Sequence, residues 1–216
     1  LQNGARLYMN YCLGCHSLQY ARYNRVAEDL GIPEDLFMDN LMFDPSVKIG
    51  SLITIGMEED NAKKWFGAAP PDLTLVSRAR QPDWLYTYLR NFYRDDSRPY
   101  GVNNRVFENV GMPHVMLELQ GLPECAMGPA AGDEIDQLTG EPIMGTPCGQ
   151  LKVNGEGAMA PEDFDAAMYD LVNFLAYTAE PMAADRKRIG TMVLLFIALF
   201  FVFAWLLNRE YWKDVH

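Results

Sequence analysis

Residues 189–207 read IGTMVLLFIALFFVFAWLL, without a charged side chain. As an α-helix, roughly 19 residues at 1.5 Å each reach about 28 Å, enough to span the hydrocarbon core of a bilayer. A core helix of a water-soluble domain is seldom this long and apolar on every face. Arg186, Lys187 and Arg188 precede the run, and Arg209, Tyr211, Trp212 and Lys213 follow it. Such residues suit a membrane–water interface. The chain is therefore expected to divide into a water-soluble part at 1–180, a linker at 181–188, a membrane-spanning helix at 189–207 and a short tail at 208–216.

Near the other end, Cys12-Leu13-Gly14-Cys15-His16 spells C-x-x-C-H. Two thiols at this spacing can each add to a vinyl group of haem, and the adjacent histidine can reach the iron. The pattern reads as c-type haem attachment through Cys12 and Cys15, with His16 as an axial ligand. A helical turn suits it, because Cys12 and His16 are i and i+4 and share a face. A zinc site would want a second C-x-x-C or a histidine pair, and neither occurs. A thioredoxin-like redox pair would want a βαβ setting, and the flanking residues do not read as a strand. The other two cysteines, Cys125 and Cys148, are expected to form a disulfide in an oxidising compartment. Closing a loop of about 24 residues contributes on the order of 3.5 kcal/mol in the chain-entropy model. Two free thiols are the alternative.

The formal charge of −11 across 216 residues argues against a nucleic-acid partner and for a cationic or neutral one. A hydrophobic content of 49% excludes a disordered chain. Orientation poses a conflict. The positive-inside rule would put Arg186, Lys187 and Arg188 in the cytoplasm, whereas covalent haem attachment is chemistry of the periplasm or its organellar equivalent. Giving the haem motif precedence, we expect an export signal upstream of Leu1, a translocated haem domain and a cytoplasmic tail. The basic cluster is then left to lipid headgroups or acidic partner surfaces.

Apolar periodicity and capping residues predict helices over 4–17, 22–30, 35–42, 58–66, 73–80 and 83–93. Asp72 is expected to cap the helix at 73–80. The clearest helix is Pro161–Ala179, with Phe164, Met168, Leu171, Val172 and Leu175 on one face. Trp84, Leu85, Tyr88, Leu89 and Phe92 are expected in the core or along a haem wall. Residues 121–157 are rich in Gly, Pro and acidic side chains and read as a long irregular insertion.

The sixth iron ligand decides what a haem does. An open position allows oxygen or peroxide chemistry, whereas a methionine thioether gives a saturated electron carrier of higher potential. Of twelve methionines, two stand in loop contexts: Met112 in Gly111-Met112-Pro113-His114, and Met159 in Gly157-Ala158-Met159-Ala160-Pro161. Gly111 would let backbone approach the ring, and Pro113 would stiffen the strap. Met112 is preferred and Met159 is the runner-up. His114 is a third option, read instead as a neighbouring or solvent-facing imidazole.

Residues 12–17 (CLGCHS), 69–73 (APPDL), 77–80 (SRAR), 111–113 (GMP), 170–181 and 186–190 (RKRIG), in this order before one apolar C-terminal helix, resemble the cytochrome c1 family of bacterial type. Members are the haem subunits of quinol–cytochrome c oxidoreductase, respiratory complex III. The resemblance implies a mainly α, class I cytochrome c-like haem domain whose first and last soluble helices cross, with one C-terminal transmembrane helix. It implies one covalently bound haem c, with Met112 as the axial methionine. Arg80, or Arg78 as second choice, would pair with a haem propionate, since a guanidinium matches a carboxylate bidentately. Pro71 and Leu73 would line the ring, and Tyr23 would help close the pocket. The strap here reads G-M-P-H rather than the G-M-A-P-P common in the family, and A-M-A-P at Met159 is superficially closer. The implied partners are cytochrome b, the Rieske iron–sulfur protein and a c-type cytochrome acceptor, in a dimeric complex of the inner (cytoplasmic) membrane with the haem domain in the periplasm. The chain itself would be an electron carrier rather than an enzyme. The insertion at 121–157 is not a constant feature of the family.

Overall fold

A computed structural model of the chain describes residues 1–126, 148, 150–153 and 157–214. The chain forms two compact units, Leu1–Ala179 and Glu180–His216. The first is mainly helical. In chain order it contains α1 (Gln2–Tyr11), β1 (Leu18–Arg22), α2 (Tyr23–Leu30), α3 (Glu34–Leu41), β2 (Leu52–Ile53), α4 (Glu59–Phe66), α5 (Val76–Arg80) and α6 (Pro82–Leu89). There follow β3 (Phe92–Arg94), β4 (Val102–Asn104), α7 (Leu117–Gln120), β5 (Glu124–Ala126), β6 (Gln150–Lys152) and α8 (Pro161–Ala179). The described strands pair as three small antiparallel ladders, β1–β2, β3–β4 and β5–β6.

Helix α8 is the hub, with α1, α5, α6 and α7 packed on it. Its predicted apolar face is buried from Phe164 to Leu175, and Phe174 is buried with it. Each such side chain contributes roughly 1.5–3 kcal/mol on leaving water. Helix α1 answers with Ala5, Leu7, Tyr8 and Met9, and the Tyr8 ring tilts against Phe174 at 5.7 Å between centroids. The two helices cross at Gly4, where a Cβ would lie 2.1 Å from the Asp170 carbonyl oxygen. Beside the crossing, Asn3 Nδ2 donates to Asp170 Oδ2 at 2.8 Å. The Arg90 fork grips the Asp165 carboxylate and ties the end of α6 to α8.

Several predicted helices are shorter in the structure. The one expected over 4–17 ends at Tyr11, and residues 18–22 become β1 because β2, some thirty residues on, offers an antiparallel partner. The one expected over 83–93 ends at Leu89, since Phe92 and Tyr93 pair with Asn104 and Asn103 of β4. Helices α2 and α4 stop where the sequence places Gly31 and Gly67, both left-handed at φ 64° and 79°. Only a residue without a Cβ adopts that conformation without strain.

Most of the insertion at 121–157 lies outside the described residues. Its two described ends meet in β5–β6, where Cys125 and Cys148 are joined in a disulfide with Cα atoms 5.3 Å apart. Replacing Cys148 with serine should therefore lower the stability of the first unit by about 3 kcal/mol, the loop-entropy magnitude. Thermal melts of wild type with and without reductant, alongside Cys148→Ser, check this. A variant melting with the oxidised wild type would remove the stabilising role.

The second unit is α9 (Ala183–Tyr211) and a short 3-10 turn, Trp212–Asp214. Its 29 residues take in positions 183–188, most of the linker that the sequence predicts at 181–188. Nothing in Ala-Ala-Asp-Arg-Lys-Arg breaks a helix, so the apolar helix begins early. It is long and apolar enough to cross a membrane, and none of its residues is buried within the chain.

Candidate haem site

Helix α1 ends at Cys12, whose carbonyl accepts N–H bonds from Cys15 at 3.0 Å and His16 at 2.9 Å. This tight turn brings both thiols and the imidazole to one cleft. The buried Tyr8 hydroxyl donates to the His16 carbonyl and holds the turn's far end. The Pro-rich strap lies alongside. Leu73 N–H donates to the Ser17 carbonyl at 2.9 Å. The Asp72 carboxylate accepts from Gln19 N–H at 2.8 Å and Thr74 N–H at 2.9 Å. The helix expected from residue 73 begins instead at Val76 with Leu75 at its N-cap, so Asp72 does not cap it; its carboxylate closes the turn before α5 and clamps the strap to the segment after the haem motif.

The strap's Pro71 carbonyl lies 2.7 Å from His16 Nδ1. A carbonyl only accepts, so Nδ1 carries the proton and Nε2 keeps its lone pair. Burial lowers the His16 pKa, opposed by the Pro71 carbonyl and the Asp72 carboxylate. The neutral, oriented imidazole is the form that ligates a metal.

A cleft of about 360 Å³ is lined by Cys12, Cys15, His16, Pro71, Leu73, Arg80 and Met112. Its walls are apolar: Val76, Leu85, Leu89, Leu171 and Leu175 from helices, with Phe66, Phe107 and Val110 from loops and the end of α4. Among the described residues, Arg80 is the one formally charged side chain on the lining apart from the titratable motif residues, and it is exposed. Its guanidinium lies 5.1 Å over the Trp84 ring, and Trp84 stacks on Tyr88 at 5.0 Å with planes 8° apart. The Tyr88 hydroxyl donates to Met112 Sδ at 3.4 Å, and burial holds that phenol above its ordinary pKa. Gly111 is needed at the strap because a Cβ there would come within 2.9 Å of the Phe66 carbonyl oxygen. The close approach is thus to the end of α4.

Other expected residues lie elsewhere. Met159 donates its N–H to the Leu119 carbonyl at 3.0 Å and lines a separate cleft with Arg90, Phe164 and Asp165. Arg78 does not line the haem cleft and is exposed, because two residues from Arg80 is about 200° around a helix. Tyr23 is buried against Phe37, with centroids 6.4 Å apart, because α2 packs on α3 rather than on the cleft. His114 is buried, not solvent-facing, and stacks on Phe92 at 5.0 Å. Burial pushes its pKa down to about 4, against the Gly121 backbone and the Gln120 side chain. Phe66 and Phe107 reach the cleft through tertiary packing, which no local spacing marks, whereas Tyr8 stands one helical turn before Cys12 and its place beside the motif is signalled by that spacing.

Cys12 and Cys15 are not bonded to one another. Burial, then the nearby Cys15, pushes the Cys12 thiol up to about 12. Reactive redox cysteines have depressed values, so the thioredoxin-like alternative lacks its thiolate. The zinc alternative lacks ligands, since no group of three or more His, Cys, Asp or Glu side chains that could hold a metal occurs among the described residues. Haem fits better. The cleft offers two thiols, an imidazole with a free Nε2, a thioether, apolar walls and one cation at an exposed rim. A mainly helical domain built around such a cleft is a class I cytochrome c-like haem domain.

The sequence model of the Cytochrome C1 family matches residues 52–215. That match begins downstream of the C-x-x-C-H motif, so the two observations are independent. Cytochrome c1 of Allochromatium vinosum is 53% identical over 216 residues, covering 100% of this chain and 84% of the relative. A protein of Nitrosomonas europaea named ammonia monooxygenase gamma subunit is 39% identical, covering 100% of this chain and 83% of the relative. Cytochrome c1 of Rhodospirillum rubrum is 25% identical over 234 positions, covering 100% and 81%. The chain belongs to the cytochrome c1 family, the haem electron-transfer subunits of the bc1 complex.

Proposed function

We propose that the chain holds one haem c through thioethers from Cys12 and Cys15, with His16 Nε2 and Met112 Sδ as axial ligands. One observation carries this reading: a single apolar cleft gathers all four residues, while Met159 lines another. Held by these residues, haem would supply a one-electron couple, so that the chain would pass one electron at a time from a reduced Rieske cluster to an oxidised c-type cytochrome, with no bond made or broken. The chain's own residues do the rest. The Pro71 carbonyl orients His16, and such outer hydrogen bonds tune a metal centre. Apolar walls keep water from the ring. Arg80 at the rim pairs with a propionate. A thioether in the sixth position leaves no seat for a substrate, so the chain is a carrier.

Catalysis then belongs to the assembly, quinol–cytochrome c reductase, formed with cytochrome b and the Rieske protein as a dimeric complex. Helix α9 anchors the chain in the inner membrane, with the haem domain in the periplasm and the tail in the cytoplasm. Purification from native membranes in mild detergent tests this. A reduced-minus-oxidised spectrum should show b-type and c-type bands eluting together. A c-type band travelling alone would remove the assembly. Carbon monoxide binding to the native reduced protein would show an open sixth position. The differently named Nitrosomonas relative makes the identity of the co-purifying subunits the deciding readout.

A further inference from the structure

We infer that the second cleft of the haem domain, where α8 meets the β5–β6 ladder, binds a small monocarboxylate on a free edge of the Arg105 guanidinium. This cleft has a volume of about 530 Å³ and shares no described lining residue with the haem cleft. Its size falls in the range of small-molecule sites. Arg90, Asn91, Arg105 and Asp165 supply its polar wall. Leu151, Val153, Met159 and Phe164 supply an apolar one.

Charge and geometry set the class of ligand. Arg90 grips Asp165 with one edge of its guanidinium, Nε on Oδ1 and Nη2 on Oδ2, and the two charges cancel. Arg105 has no such carboxylate among the described residues. Its Nη1 donates to Asn91 Oδ1 at 3.3 Å, and its backbone N–H donates to the Asn91 carbonyl at 3.1 Å. These bonds hold the residue in place and leave the Nε side of its guanidinium unused. Arg105 Nε is buried and without a hydrogen-bond partner among the described residues. An unsatisfied buried donor on a charged group is costly. A carboxylate would satisfy it as Asp165 satisfies Arg90, through two parallel charge-assisted bonds. With Arg90 and Asp165 neutralising one another, the described lining keeps a net single positive charge. One monoanion balances that charge, whereas a phosphate or sulfate dianion exceeds it. The apolar wall then asks for a hydrocarbon body on the acid, an aromatic or branched one rather than acetate.

The test titrates benzoate into the haem-loaded full chain in detergent by calorimetry, with detergent alone as the blank. Saturable binding is expected, with a melting temperature that rises as benzoate is added and haem bands that stay where they were. Benzamide has the same shape without the charge and should bind about tenfold more weakly or worse, the worth of one charge-assisted hydrogen bond. Arg105→Gln should weaken benzoate by a similar factor. Arg94→Gln makes the same charge change on β3, outside the cleft, and should leave benzoate binding alone. Should Arg105→Gln fail to fold, Arg105→Lys decides, because it keeps the charge and loses the planar edge. Weakened benzoate in that variant supports the site, and wild-type affinity overturns it. The inference is also overturned by a wild type that shows no saturable binding, by benzamide binding as well as benzoate, or by Arg105→Gln binding as well as wild type. Haem bands that move with benzoate would place the acid at the iron instead and overturn it too.

Discussion

Replacing Cys12 and Cys15 together by alanine is expected to leave no haem covalently held by the chain. The two thiols line one cleft beside His16, and neither is used in a bond with the other. The Cys125–Cys148 disulfide accounts for the remaining cysteines, so no other thiol can replace them. Peroxidase staining of the denatured polypeptide should fall from full to nothing, and acid acetone should extract whatever haem the native double variant retains. Each single variant should keep its stain through one thioether, with the reduced α-band moved to the red by the vinyl group left unsaturated. The outcome is sharper for Cys12. It is buried at the end of α1, against α8, and cannot swing to another partner without moving that helix. Staining that survives in the double variant would mean that the thiols serve some other chemistry, and the reading of the whole site would fall with it.

The parts of this molecule that were legible in advance share a physical property: their cause lies within a few residues of sequence. The haem turn is legible because Cys12, Cys15 and His16 must sit within one turn to reach one ring. Helix α8 is legible because its apolar residues recur at helical spacing, and Pro161 with Glu162 and Asp163 marks its start. The stops at Gly31 and Gly67 are legible because a left-handed cap favours glycine. Strands β1 to β4 were not, because each is two to five residues long and exists only through its pairing. Leu18 needs Ile53, and Phe92 needs Asn104, and neither partner is announced locally.

The site divides the same way. Arg80, Trp84 and Tyr88 recur every four residues, so their common wall could be foreseen, although Gln81, at φ 65°, breaks the helix between the first and second. The same periodicity shows why Arg78 points elsewhere. The sequence prefers Met112 to Met159 as the axial ligand, but it does not say where packing places the two side chains. Both stand beside Gly and Pro in loops, and the better local likeness to the family strap belongs to Met159. Tertiary packing separates them, because the segment at 157–159 is bonded to α7 through Glu118 and Leu119 and carries Met159 to a different cleft. Tyr23 failed for a related reason. Its nearness in sequence to the haem motif is undone by β1, which carries the chain away before α2 begins.

Replacing Gly4 with alanine should destabilise the first unit by about 3 kcal/mol or more, toward the upper end for an overpacked core. Two effects oppose. Alanine is the better helix former by about 1 kcal/mol, and an exposed glycine in α1 would gain that much. At Gly4, however, the added carbon would lie 2.1 Å from the Asp170 carbonyl oxygen and 2.8 Å from Phe174 Cβ. Neither is the end of a flexible side chain, so relief requires α1 and α8 to separate. Separation also lengthens the Asn3–Asp170 hydrogen bond and opens the Tyr8–Phe174 contact. Sterics win, and the melting temperature should fall by about 6–12 °C for a domain of this size. The site should feel it as well, because α1 ends at Cys12 and Tyr8 holds the His16 carbonyl. Gly56→Ala is the control, since a Cβ there meets no atom within 4 Å. Melting followed by helical circular dichroism gives the first readout, and the Soret band gives the second. A Gly4→Ala chain that melts at or above the wild-type temperature would mean that the first and last helices of the haem domain do not cross at this residue.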